Sequence, residues 1–411
     1  MSKFRKFFFS PKLFYNDLFR NLKLKLLIKK YKIQKYQLKN SYSLVVAIWN
    51  VEHYLEDFFY SIFNQNINNL ENLEIICIDD GSTDNSTLII SNWINKFPTV
   101  IKYIRKDNGG QASARNLGLK YASKKWITFI DPDDFIMEGY FQEVDKKIYK
   151  ANSQLCIVVC NILIFNESKN KILNTHPLKF KFSKKNKELE ISRINHEINL
   201  SVSSAFFIVK KIRENKISFD EELKPNFEDA KFLNEYLLKN HGSNIFYSNN
   251  SIYLYRKRSN SSSSIDKSWR DYRKYSVVIN RGYKYLINKS IKEIGFVSLN
   301  IQNIILYEVV NLISYFNGKN FIYDYDLNKF MCDLKAIFQY IDKETILKFN
   351  YKKDSDLYIA FISHYLKGDL NTDNINYLFS YKVDLLCKRK IEFMNTYCLY
   401  QLTLRSSKSS L

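Results

Sequence analysis

The stretch Trp126-Ile127-Thr128-Phe129-Ile130-Asp131-Pro132-Asp133-Asp134 decides the fold. Five residues of buried-strand type, apolar except for Thr128, run directly into three acids. A strand without polar alternation belongs in a sheet covered on both faces, which is the habit of parallel sheets flanked by helices. Acids at the end of such a strand are costly to desolvate without a cation, and their hard oxygens select Mg²⁺ or Mn²⁺. Taken alone, the triplet also reads as a solvated turn or a helix cap.

The same grammar repeats upstream. Leu44–Ile48 is a short apolar run ending in Trp49-Asn50, and Leu73–Ile78 ends in Asp79-Asp80-Gly81-Ser82-Thr83-Asp84. A third run, Val100–Ile104, precedes Asn108-Gly109-Gly110. Helical stretches over about His53–Gln65, Asn85–Asn95 and Gln111–Ala122 separate them, so the segment predicts an α/β domain with a mostly parallel, Rossmann-like sheet. Ligands in such sheets bind beyond the carboxyl ends of the strands. Trp49-Asn50, Asp79-Asp80 and Asp131–Asp134 should therefore face one crevice.

Several familiar sites are excluded. The sequence has neither a GxGxxG nor a GxxxxGK[ST] loop, and Asp79–Asp84 fails as a calcium loop because its twelfth position is Ile90. The five histidines lack metal-ligand spacing, and no Ser/His/Asp or Cys/His nucleophile set is visible.

The 411 residues are 45% hydrophobic and 16% aromatic, enough for a full core. The net charge of +21 is uneven: twelve of the 63 Lys and Arg, but one of the 42 acids, fall in residues 1–40. There Phe14, Leu18, Leu22 and Leu26 recur every four positions, with Arg20, Lys23 and Lys30 elsewhere on the wheel. This basic amphipathic helix either packs on the next domain or lies on an anionic membrane surface, and the charge favours the membrane. Outside it no basic stripe with interleaved aromatics occurs, so nucleic acid is not an expected partner. Six cysteines without a CxxC or zinc spacing fit a reducing cytoplasm, and no apolar run approaches the roughly 18 residues of a membrane span. The expected location is cytoplasmic, peripheral on the inner face of the membrane. Beyond Asp266 helical spacing takes over, as in Ile301, Ile305, Val309, Leu312 and Phe316 before Gly318. The expected divisions are 1–40, 41–265 and a helical region 266–411.

Over about residues 42–264 the sequence resembles family-2 nucleotide-sugar glycosyltransferases of the GT-A fold. Leu44–Glu52 is similar to the family's opening strand and turn, with Ala47 and Trp49 standing where Pro and Tyr are usual; Asn50 and Glu52 complete it. Asp79-Asp80-Gly81-Ser82-Thr83-Asp84 resembles the signature whose acids hydrogen-bond the uracil and ribose. Asn108–Gly118, with Gly110 and Arg115, matches the family's Gly-Gly…Ala-Arg-Asn-x-Gly element, and Asp131-Pro132-Asp133-Asp134 its metal-binding Asp-x-Asp-Asp. Further on, Glu228-Asp229 resembles the Glu-Asp pair whose aspartate is the catalytic base, although two acids there also suit a helix N-terminus. Tyr255-Arg256-Lys257-Arg258 and the serines after it resemble the loop that closes over the donor diphosphate. The resemblance implies an inverting transferase with Asp229, or failing it Glu228, as base and a divalent metal on Asp133 with Asp131 or Asp134. Its donor would be a nucleotide sugar, with UDP the expected nucleotide, and its acceptor a surface glycan or lipid-linked glycan of capsule or lipo-oligosaccharide type. Two rivals are a catalytically silent scaffold of the same fold and a phospho-transferase of capsule assembly.

Overall fold

The computed structural model describes residues 35–182, 186–258, 268–269, 271–315 and 327–349. The expected basic helix before residue 35, the serines from Ser259 onward, and Phe316 and Gly318 lie outside them. The chain divides into two compact units, Met1–Lys267 and Ser268–Leu411.

In the first unit, strands β1 (Tyr42–Ile48), β2 (Leu73–Asp79), β3 (Ile101–Arg105) and β4 (Trp126–Phe129) pair in parallel in the order β3-β2-β1-β4. Helices α1 (Glu52–Phe63), α2 (Ser86–Lys96) and α3 (Gln111–Tyr121) connect them. Alternate side chains of β1 serve opposite faces, as a pleated strand requires. Leu44, Val46 and Ile48 pack with Leu55, Phe58 and Phe59 of α1 and Trp93 of α2, and Val45 packs with Ala114 and Leu119 of α3. That double burial is why the strand reads as one apolar run.

Helix α3 approaches β1 closely at Gly118, where an added Cβ would lie 2.2 Å from Val45 Cγ1. Register places Ile48 beside Asp79, so the ends of β1 and β2 emerge together.

Past β4 the sheet turns mixed. Short β5 (Phe135–Ile136) leads into α4 (Tyr140–Lys150), followed by the long β6 (Leu155–Asn166), the edge strands β7 (Lys171–Leu173) and β8 (Lys187–Glu190), and β9 (Ala205–Ile208). After α5 (Val209–Glu214) and α6 (Glu228–Lys239) comes the 14-residue β10 (Asn244–Lys257). β9 inserts antiparallel between β4 and β6, whereas β10 runs parallel to β6. The sheet is thus parallel in its first half and mixed in its second, where the sequence reading assigns no strands.

Residues 36–40, expected to continue the N-terminal helix, instead form the edge of this unit. Tyr36 pairs with Ile67, and the buried carboxylate of Asp145 on α4 gathers five donors: the hydroxyls of Tyr36 (2.9 Å) and Tyr42 (2.7 Å), the amides of Lys39 (2.8 Å) and Asn40 (2.9 Å), and Asn40 Nδ2 (3.0 Å). A charged acceptor with all its lone pairs used holds this edge firmly.

In the second unit a π-helical stretch, Val278–Lys284, runs into α7 (Tyr285–Ile294), which stops at Gly295 with φ +84°. Helices α8 (Leu299–Tyr315), α9 (Leu327–Phe338) and α10 (Lys343–Leu347) follow. Ile301, Ile305, Val309 and Leu312 are fully buried, as the stripe predicts, and Gln302 and Asp342 exchange hydrogen bonds of 2.8 and 2.7 Å. No helix among the described residues is long and apolar enough to cross a membrane.

Candidate active site

The carboxyl ends of the parallel strands β1, β2 and β4 lie side by side at one end of the sheet, where a ligand crevice is expected. At β2, both acids are buried and used within the protein. Asp79 Oδ1 accepts from the Ser82 amide (2.7 Å) and Oδ2 from Tyr103 (2.6 Å) and Thr87 (3.1 Å). Burial opposes its charge, but these donors outweigh burial and hold its pKa below the ordinary value. Asp80 accepts from the amides of Gly109 (2.9 Å) and Gly110 (2.7 Å) and from Lys106 (2.6 Å). The two acids thus shape the turn at Gly81, whose φ is +80°, and the Gly-Gly loop before α3.

Opposite, Trp49 is 58% exposed at the rim, while the partly buried Ala47 packs inward against the core. Asn50, with φ +50°, accepts from the Thr83 amide at 2.8 Å and donates nothing to the crevice through its backbone, whose N–H goes to Ser82 Oγ at 3.2 Å. Glu52 accepts from Asn85 and donates its amide to Asp84, which binds the two strand-end loops to each other.

At the end of β4 the three acids part company. Asp131 remains partly exposed: Oδ1 accepts from Arg115 (2.8 Å) and Gln111 (3.0 Å), and Oδ2 from Ser203 (2.9 Å). Asp133 is partly exposed too, and its Oδ2 takes both Nε (3.0 Å) and Nη2 (2.7 Å) of Arg258. Asp134, expected beside them as a metal ligand, turns inward instead. It is 1% exposed, and its oxygens accept from the Tyr253 hydroxyl (2.7 Å) and the Arg256 amide (2.7 Å). Burial and then the neighbouring acids push Asp134 well above the usual carboxylate range; burial and Asp131 raise Asp133 against the pull of Arg258.

Arg256 and Arg258 divide their labour. Arg256 is buried among the rings of Tyr54 (5.2 Å), Phe135 (5.0 Å) and Phe165 (5.4 Å), with Asp57 at 2.7 Å and the carbonyl of Asp133 at 2.7 Å. Arg258 lies over Tyr54 at 4.8 Å and remains partly exposed beside Asp133. Of the two, Arg258 is the one at the crevice.

Across the crevice, Glu228 and Asp229 open α6. Asp229 Oδ1 accepts from Arg115 Nη1, its Oδ2 meets the Val202 amide at 3.4 Å, and Glu228 lies 3.9 Å from the same guanidinium. Burial raises Asp229 while Arg115 opposes the rise; burial and the charge of Asp229 bring Glu228 to about 7. Arg115 itself is only 2% exposed.

Sequence reasoning did not single out Gln111, Ser203 or Tyr253. Ser203 lies in the loop before β9 and Tyr253 on β10, and neither belongs to a motif.

A divalent cation fits this donor set. No three His, Cys, Asp or Glu side chains converge as a ready-made cluster among the described residues. Mg²⁺-type sites, however, commonly use one or two protein carboxylates and complete their shell with water and substrate phosphates. Asp133 and Asp131 are two such groups, both partly exposed at the end of β4.

A half-parallel sheet with acids at its strand ends, faced by an acid pair at a helix start, is the architecture of the GT-A fold. Residues 1–349 of TarS from S. aureus, solved with UDP-GlcNAc, share that fold at a TM-score of 0.56 and 19% identity, over 80% of this chain and 92% of that one. The chain belongs to glycosyl transferase family 2, whose sequence profile matches residues 43–214. It is 30% identical over 336 residues to the minor teichoic acid biosynthesis protein GgaA of Bacillus subtilis strain 168, covering 79% of this chain and 72% of GgaA. GgaB of the same strain is 38% identical over 193 residues, 47% of this chain but 20% of GgaB.

Proposed function

We propose that the protein transfers a sugar from a UDP-sugar to a hydroxyl of a bacterial surface glycan, with inversion at the anomeric carbon. The observation that carries this reading is the single buried guanidinium of Arg115 joining Asp131, at the end of β4, to Asp229, at the start of α6. A donor-side acid and an acid suited to be a base thereby face each other across one crevice.

In this reading the nucleoside lies along the wall made by Trp49, Asn50 and the Asp79–Ser82 turn, and the diphosphate lies near Asp131, Asp133 and Arg258. The bond from the anomeric carbon to the diphosphate breaks as the acceptor oxygen attacks from the side of Asp229. Asp229 Oδ2 takes the acceptor's proton, which lets a neutral hydroxyl act as nucleophile. Arg258, already paired with Asp133, is placed to stabilise charge on the leaving diphosphate. Asp133, helped by Asp131, would hold a divalent cation, which when bound supplies further charge stabilisation to the leaving group. Asp134 keeps Tyr253 and Arg256 in place beneath them. The transferase domain begins at about Tyr36, a few residues before the expected 41–265, and the segment upstream of it attaches it to anionic membrane at the cytoplasmic face, where lipid-linked acceptors are presented.

Capsule and lipo-oligosaccharide are acceptor classes on this reading; the name of the GgaA relative adds teichoic-acid polymers, and that of the relative TarS of Staphylococcus aureus adds poly(ribitol phosphate). A panel of nucleotide sugars, screened by ligand-dependent thermal shift and donor turnover with Mn²⁺, tests it. One UDP-sugar should stabilise and be consumed, and Asp133→Ala or EDTA should abolish consumption. Turnover undiminished in EDTA would remove the metal, and preference for a non-uridine donor would remove UDP.

A further inference from the structure

Arg115 is expected, by resemblance, at the nucleotide sugar, yet its surroundings suit a different task. Its Nη2 is 2.8 Å from Asp131 Oδ1, its Nη1 bonds Asp229 Oδ1, and Glu228 lies 3.9 Å away. Below it lies the ring of Phe219, 5.4 Å from the guanidinium carbon, and Phe219 stacks on Phe232 of α6 at 4.2 Å. We propose that Arg115 is a positioning residue that holds the Asp229 carboxylate in place against Asp131 and does not touch the donor. This rests on the reading of Asp229 as the base.

The geometry favours that role in three ways. The two ends of the guanidinium fork are occupied by carboxylates from different elements, so the side chain spans the crevice floor beneath the substrates. At 2% exposure it has no face left for a diphosphate. Its bond fixes Asp229 Oδ1 and leaves Oδ2 with one long contact, 3.4 Å from the Val202 amide, so Oδ2 is the oxygen available for a proton. Lysine cannot replace this arrangement, because a compact ammonium lacks the planar fork that reaches two carboxylates at once.

The test uses the full chain with Arg115→Lys, Arg115→Gln, Asp229→Asn and the double variant Arg115→Lys/Asp229→Asn. Turnover of a panel of UDP-hexoses and UDP-N-acetylhexosamines with Mn²⁺ is measured with water as acceptor, and UDP affinity by calorimetry. Arg115→Lys should lower kcat by about 10- to 100-fold while donor KM and UDP affinity stay within about threefold, the pattern of a lost transition-state interaction. In the Asp229→Asn background the same change should cost less than about threefold, because residues acting as one unit are not additive. UDP affinity falling in step with turnover would overturn the proposal by placing Arg115 on the donor. Losses that multiply in the double variant would overturn it as well. If Arg115→Gln does not fold, Arg115→Lys, which keeps the buried charge, carries the comparison. Loss of the fold in both would make Arg115 purely structural. Full turnover by Asp229→Asn would instead remove the base, and the proposed function with it.

Discussion

Gly118→Ala probes how the sheet sets the height of the site. The new Cβ would lie 2.2 Å from Val45 Cγ1 and 3.0 Å from Cγ2. Carbon atoms settle at about 3.5–4.0 Å, so α3 must rise from β1 by roughly 1 Å or more. Val45 cannot give way easily, since it is fully buried on a strand paired on both sides. Such overpacking costs about 1–3 kcal/mol, and the helix propensity gained over glycine offsets about 1 kcal/mol of it. Net destabilisation should therefore be modest, about 0–2 kcal/mol. Turnover should suffer more. Arg115 lies one turn earlier on the same helix, and a displacement of about 1 Å in a positioned group costs up to about 10²-fold. Val45→Ala removes the obstructing methyls; alone it should cost about 2 kcal/mol, yet combined with Gly118→Ala it should restore turnover at least about tenfold over the single variant. Urea unfolding and donor turnover on the four proteins give both quantities. Wild-type turnover in Gly118→Ala, or a double variant no better than the single, would refute the link between this contact and the site.

Asp229→Asn should retain UDP binding and lose about 10²-fold or more in turnover, read by calorimetry and steady-state kinetics. Glu74, buried where Ser43, Lys102 and Ser123 donate to it, gives an acid-stability prediction. Burial raises its pKa, but these partners outweigh burial and lower it from 4.5 to about 2. Its contribution, about 3 kcal/mol, is complete above the unfolded value and fades as pH falls from 4.5 toward 2; Glu74→Gln should flatten that limb of a stability–pH curve. A chain beginning at Lys35, which keeps Tyr36–Asn40 with Asp145, should fold and turn over donor but lose the co-sedimentation with anionic vesicles expected of the full chain.

The first half of the domain was legible because physics writes it locally. Strands buried on both faces must be continuously apolar, and their polar ends must lie where the sheet stops, so the Leu44, Leu73 and Trp126 runs located the crevice. The glycine at 118 was visible only as part of a motif; the contact with Val45 that requires it is not. The second half needed tertiary information. Leu155–Phe165 carries the same apolar signature as β1, but nothing local states that β10 lies parallel to it or that β9 enters antiparallel. Arg256 and Arg258 are neighbours in sequence and look alike there. Both meet Tyr54; tertiary packing against Phe135 and Phe165 makes Arg256 a buried pillar, while Arg258 stays partly exposed beside Asp133.

The anchoring of residues 36–42 by Asp145 sets the molecule's polarity in space. This segment enters at the amino end of β1, whereas the crevice opens at the carboxyl end, a strand of seven residues away. At about 3.3 Å per residue the two points are separated by roughly 23 Å. Whatever lies upstream of Tyr36 therefore joins the domain at the base of the sheet, at the opposite end of β1 from the candidate site.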